Sequence, residues 1–66
     1  MILQVNGSPL EIDDKSSAAD LITKLTLQNQ RIALEVNRAI IPKSRHAKFT
    51  LNEGDICEII KAVGGG

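Results

Sequence analysis

The stretch MILQVNGSPLEID alternates between apolar and polar positions. Leu3 and Val5 fall on one face of an extended run, Leu10 and Ile12 on one face of a second, with Asn6-Gly7 between them. Side chains of a strand point alternately to its two faces, so this pattern predicts two half-buried strands. Asn-Gly predicts the turn that joins them, because a tight primed turn needs positive φ at both central residues and these two types tolerate it. Pro9 has no N–H to give a ladder and fits at a strand start or on a sheet edge. In SSAADLITKLTL the spacing changes: Ala18, Leu21, Ile22 and Leu25 recur every three or four residues, which is one stripe of a helix. Ser17 is placed to cap it, and Asp20 completes a capping box at the positive end of the helix dipole. Burying the three larger side chains of the stripe stabilises the fold by roughly 1.5–3 kcal/mol each. Asn29 is the expected stop.

Alternation returns in RIALEVNRAIIP. Ile32, Leu34 and Val36 share one face and Ala33 and Glu35 the other; Asn37 permits a turn, and Ile40-Ile41 make a short further strand that Pro42 ends. KSRHAK reads as a polar connection with His46 on the surface. FTLNEGDICEIIKAV reads as a hairpin-like unit, in which Phe49 and Leu51 lead through a turn at Asn52-Glu53-Gly54-Asp55 into a last strand from Ile56 to Val63. That strand is apolar on both faces, with Ile56, Ile60 and Ala62 on one side and Cys57, Ile59 and Val63 on the other. Such strands normally run through the middle of a sheet covered on both sides. With one helix to do the covering, the second face is exposed or awaits a partner. The order β-β-α-β-(β)-β predicts an α+β fold, a mixed sheet of four to five strands with one main helix on one face. The domain is expected to span residues 1–63, with 64–66 as a flexible glycine tail.

Composition narrows the function. A chain of 66 residues has room for one small core and none for a walled substrate cleft. Eight basic residues balance eight acidic ones, so no net field favours nucleic acid or an anionic membrane, and Phe49 alone offers an aromatic face for base stacking. One cysteine, Cys57, and one histidine, His46, make a poor metal site, and no metal spacing appears. Cys57 in an apolar strand is expected to act as a small buried hydrophobe. No apolar run is long enough for a bilayer and no signal-peptide layout opens the chain, so a cytoplasmic location is expected. Arg38, Lys43, Arg45 and Lys48 form a modest basic cluster, either a solvated face or a surface that meets acidic residues of a partner.

The run that remains is KAVGGG. Three glycines in succession weaken any strand or helix they join. Taken by composition, the tail is equally a frayed end or a device for carrying its carboxylate into another protein's active site. The second use has a physical logic. A terminal carboxylate, with a pKa of about 3.3–3.7, is ionised at neutral pH and is a poor electrophile. Activation needs a good leaving group and reacting atoms held in line. Gly64, Gly65 and Gly66 lack a Cβ and can thread a narrow channel; three extended residues reach roughly 10 Å. Ala62 and Val63 are small enough for the neck. Ordering the tail costs about 1–2 kcal/mol per residue, which contacts of the domain body must offset. Ile59 and Leu34 are the expected apolar contacts.

The hairpin, helix and returning strands, together with VNRAIIP, LNEGDICEII and the closing AVGGG, resemble the ThiS family of sulfur carriers of thiamine thiazole biosynthesis, within the ubiquitin-like β-grasp fold. The resemblance runs along essentially the whole chain. It implies that the chain is a co-substrate and not an enzyme. A ThiF-like adenylating enzyme would use ATP to convert the Gly66 carboxylate to an acyl-adenylate, with no cofactor bound to the carrier itself. A persulfide protein would supply sulfur to leave a thiocarboxylate, and a ThiG-like thiazole synthase would draw on it. Gly64, Gly65, Val63 and Ala62 would thread the channel, and Ile59, Leu34, Arg38 and Lys43 would face partners. Two relatives of this chemistry stay open: the small subunit of molybdopterin synthase, and a ubiquitin-like modifier that joins its last glycine to a lysine. A plain interaction module with an inert tail is the remaining reading.

Overall fold

The computed structural model describes residues 1–62. Strands β1 (Ile2–Val5) and β2 (Ser8–Glu11) form the first hairpin, helix α1 (Ala18–Lys24) follows, and β3 (Ile32–Val36) and β4 (Ala39–Ile41) form the second. A 3-10 helix at Lys43–Lys48 then leads to β5 (Ile56–Lys61). Both hairpins turn on an asparagine in the left-handed region. Asn6 and Gly7 have φ of 49° and 83°, as the primed turn requires, whereas the second turn uses Asn37 and Arg38 at 51° and 72°. Arg38 carries a Cβ in a conformation that favours glycine, at a cost of roughly 1–2 kcal/mol.

The sheet has five strands in the order β2-β1-β5-β3-β4. The β1–β5 pair is parallel and the other pairs are antiparallel. The strand read as apolar on both faces is therefore the central one. Helix α1 lies across one face, burying Ala18, Leu21 and Ile22 with Leu3, Leu34, Val36, Cys57 and Ile59. A hairpin, a helix across the sheet, and a last strand inserted parallel to the first make a two-layer β-grasp.

The N-terminus of α1 matches its sequence signature. Ser17 Oγ accepts from the Asp20 amide at 3.1 Å, and Asp20 Oδ2 accepts from the Ser17 amide at 2.8 Å. The C-terminus does not. The helix ends at Lys24, well before Asn29, because Thr26 enters the left-handed region at φ 60°. The Leu27 amide then donates to Ile22 O at 3.0 Å and the Thr26 amide to Thr23 O at 2.9 Å, which is a Schellman closure built without glycine.

Two further expectations change. KSRHAK is a 3-10 helix and not a loose connection, and His46 is buried in it, with Nε2 2.9 Å from Ile41 O. The helical turn rolls the imidazole inward onto the Ile41 carbonyl, away from the solvent in which the sequence reading placed it. The segment from Phe49 to Leu51 does not pair with β5 as a hairpin. Thr50 makes a lone bridge to Ser17, and Leu51 is buried beside the entry to α1, its amide 2.9 Å from Ser16 O. The partners of β5 are β1 and β3.

Candidate functional site: the strand that leads to the glycines

The chain reaches its glycines through β5, so the site is built from whatever holds that strand. On one side β3 pairs along it from Val36↔Cys57 to Ile32↔Lys61, and the Ala62 amide continues the ladder to Arg31 O at 3.0 Å. On the other side β1 pairs only Gln4↔Ile56 and Val5↔Cys57. There the Asn6 side chain takes over. The Ile59 amide donates to Asn6 Oδ1 at 2.8 Å, and Asn6 Nδ2 donates to Ile59 O at 3.3 Å. One carboxamide thus imitates the peptide unit a longer β1 would have supplied. At the start of the strand Asn37 does the same. The Ile56 amide donates to Asn37 Oδ1 at 3.0 Å, the Asn37 amide donates to Ile56 O at 2.7 Å, and Asn37 Nδ2 donates to Asp55 Oδ1 at 3.0 Å. Sequence reasoning assigned both asparagines to turns and missed that they clamp β5. The available signal was asparagine, the turn residue with both a donor and an acceptor to spare.

The two faces of β5 are unlike. Toward α1, Cys57 and Ile59 are buried, and Leu34 sits opposite Ile59 in the register. Leu34 and Ile59 therefore cannot be the partner contacts the sequence reading made them, since both lie in the core beneath the helix. The other face carries the exposed apolar groups. Ile56 is 57% exposed, Ile60 52% and, on β4, Ile40 70%, while Ile2 on β1 is 45% exposed. Among the described residues nothing covers them. Glu58 lies between Ile56 and Ile60 and is paired directly across from Glu35. Like charges facing across a ladder destabilise a sheet, so this pairing brings the isolated domain no benefit.

The basic cluster of the sequence is divided by the fold. Arg38 lies in the β3–β4 turn beside Glu35, Ile56 and Glu58, at the start of β5. Lys43 lies beyond β4, at the other end. There, with Arg31, it lines a groove of about 750 Å³ that Leu27 and Ile32 floor and Ala62 borders. Ala62 is exposed. Val63, Gly64, Gly65 and Gly66, named above as neck, tail and reactive end, lie outside the described residues.

The remaining candidates are structural. Burial, with a smaller contribution from the Asp55 charge, pushes the Cys57 thiol up to about 11, so it stays protonated and inert at neutral pH. His46 is spent on its bond to Ile41 O. Among the described residues no group of His, Cys, Asp and Glu could hold a metal ion, and no helix is long and apolar enough to cross a membrane.

Comparison with known proteins bears on this arrangement. Residues 3–66 match the model of the ThiS family. The chain is 35% identical over 66 residues to the sulfur carrier protein ThiS of Bacillus subtilis strain 168, covering 98% of this chain and 100% of that one. It is 33% identical over 66 residues to a thiazole synthase of Paramagnetospirillum magneticum, where all of this chain spans 20% of the relative's length. The crystal structure of a thiamine biosynthesis protein (ThiS) from Geobacter metallireducens superposes with a TM-score of 0.84 at 28% identity, over 100% of both chains. Sequence and fold agree along the whole length, and the chain belongs to the ThiS family of sulfur carrier proteins.

Proposed function

We infer that this chain carries sulfur as a thiocarboxylate on Gly66 for the building of a thiazole ring. The observation that supports this best is the extent of the family match, which runs through the glycines to residue 66. The chemistry follows from what a carboxylate needs. An oxygen of the Gly66 carboxylate attacks the α-phosphorus of ATP in an adenylating partner, and pyrophosphate leaves. The terminal sulfur of a persulfide displaces AMP, and attack of a thiol on the resulting acyl disulfide releases the thiocarboxylate. The carrier supplies the carboxyl group and a rigid β5 behind it; the partner supplies ATP and alignment.

Thiazole synthase is the receiver that fits. A relative of that name contains a stretch equivalent to this whole chain within one polypeptide. We assign the open face of the sheet, around Ile56, Ile60 and Ile40, to that contact. Apolar groups left in water on a small domain are the material of an interface core, and they occupy the strand that leads to the reacting end.

The test is ATP–pyrophosphate exchange with the adenylating enzyme of the same cell. The intact chain supports exchange, and its mass after loading shows one oxygen replaced by sulfur at the C-terminus. Deleting Gly66 abolishes both. Exchange at the normal rate by the shortened chain would overturn the assignment. A gain in mass matching attachment to a protein lysine would move the chain to the modifier class instead.

A further inference from the structure

The chain has zero formal charge, but its charges are sorted. No Asp or Glu occurs from Leu21 to Leu34 or from Val36 to Asn52, and Lys24, Arg31, Arg38, Lys43, Arg45 and Lys48 all fall in those segments. The fold turns part of this bias into a place. The groove at the end of β5 has Arg31 and Lys43 among its lining and no acidic residue. Carboxylates gather elsewhere: Glu35 and Glu58 beside the open face, Asp13, Asp14 and Asp20 around the approach to α1.

The groove also lies where a partner must come. Ala62 borders it and is tied to Arg31 by the 3.0 Å bond that ends the β3–β5 ladder. From Ala62 four residues lead to the Gly66 carboxylate, and four residues span at most about 14 Å. A protein that takes that carboxylate into its ATP site therefore brings the mouth of its channel onto this groove.

We propose that the groove flanked by Arg31 and Lys43 seats an acidic stretch at the channel mouth of the adenylating enzyme; this rests on the reading of Gly66 given above. Two arguments favour that partner over thiazole synthase. The contact with thiazole synthase fits the apolar open face, which meets the groove only along its border at Ala33 and Ile60, and in one relative the two proteins share a polypeptide, an arrangement that tolerates a lasting interface. The adenylating enzyme must release each loaded carrier and take another. Exposed charges on a rim suit that, because they speed and orient encounter more than they prolong the complex. Leu27 and Ile32 on the floor give the acidic stretch room for one apolar side chain between its carboxylates.

The experiment is ATP–pyrophosphate exchange over a range of carrier concentrations and salt, with wild type, the double variant Arg31→Glu/Lys43→Glu, the charge-keeping double variant Arg31→Lys/Lys43→Arg, and Lys24→Glu. Lys24 is exposed and lies with the acidic residues away from the groove, so its reversal reports what a change of charge does outside the groove. The reversal should raise KM about tenfold or more, leave kcat near wild type, and flatten the decline of kcat/KM with salt. Lys24→Glu and the charge-keeping pair should behave as wild type. A KM for the reversal within about twofold of wild type, or an equal rise with Lys24→Glu, overturns the groove assignment while leaving activation of Gly66 intact. Absence of exchange with wild type overturns both.

Discussion

The two faces of β5 follow opposite rules. Side chains toward α1 are buried and neutral: Cys57 and Ile59, with Leu34 across the ladder. Those on the other side are two exposed isoleucines with a glutamate between them, and that glutamate opposes another. One face is solved for stability. The other keeps apolar surface in water and like charges in register, which a sheet selected for stability alone would shed. The difference shows that a central strand can be core on one side and open apolar surface on the other, with the alternation of the pleat keeping the two apart.

The largest effect belongs to the inner face. Leu34→Ala should destabilise the domain by about 2–5 kcal/mol, read as a lower urea midpoint, because it opens a cavity beside Cys57 and Ile59. Ile60→Ser should cost about 1 kcal/mol or less by the same measure, since about half of the side chain already faces water. Equal losses would erase the distinction between the faces.

Alkali tests the inner face a second way. Burial, with the Asp55 charge, pushes the Cys57 thiol in the folded chain up to about 11, from 9.0 for a thiol in water. Its contribution to stability is fully present below pH 9 and is lost as pH rises from about 9 to 11, because only the unfolded chain sheds the proton in that window. The loss steepens toward ~1.4 kcal/mol per pH unit. Urea midpoints at pH 8 and 10.5 should show the decline, and Cys57→Val should remove that part of it.

The outer face should show itself in binding. Ile56→Ser combined with Ile60→Ser should weaken association with thiazole synthase about tenfold or more, as calorimetry would measure, while the domain stays folded. The smallest effect is a gain. Glu58→Gln should stabilise the domain by about 0.2–1 kcal/mol by removing the clash with Glu35. A loss would mean that Glu58 has a favourable partner within the domain.

Much of this was legible beforehand. The Asn-Gly hairpin, the capping box, the stripe on α1 and the central place of β5 follow from local chemistry. The choice of face was missed although parity held the answer. Glu58 shares its side with Ile56 and Ile60, and a charge marks the side turned to water, so Ile59 and Leu34 had to be core. The burial of His46 was hidden for a different reason. A 3-10 helix of mostly polar residues presents no apolar stripe, and only its packing against α1 turns the ring inward. The clamps made by Asn6 and Asn37 depend on which strand lands beside each turn. The basic cluster looked continuous because Arg38 and Lys43 are near in sequence, but β4 runs the length of the ladder between them and puts them at opposite ends. Val63 to Gly66 were read by composition and family likeness, and the described residues stop just short of them.

The position of β5 has a consequence for how the domain comes into being. It is last of the strands in chain order yet third in the sheet, and it joins β1 to β3. Until it arrives, the earlier residues amount to two separate hairpins and a helix with half a floor, and isolated hairpins are marginal in water. Order should therefore come in a single step late in synthesis, and a protease cut just ahead of Ile56 should leave no surviving half.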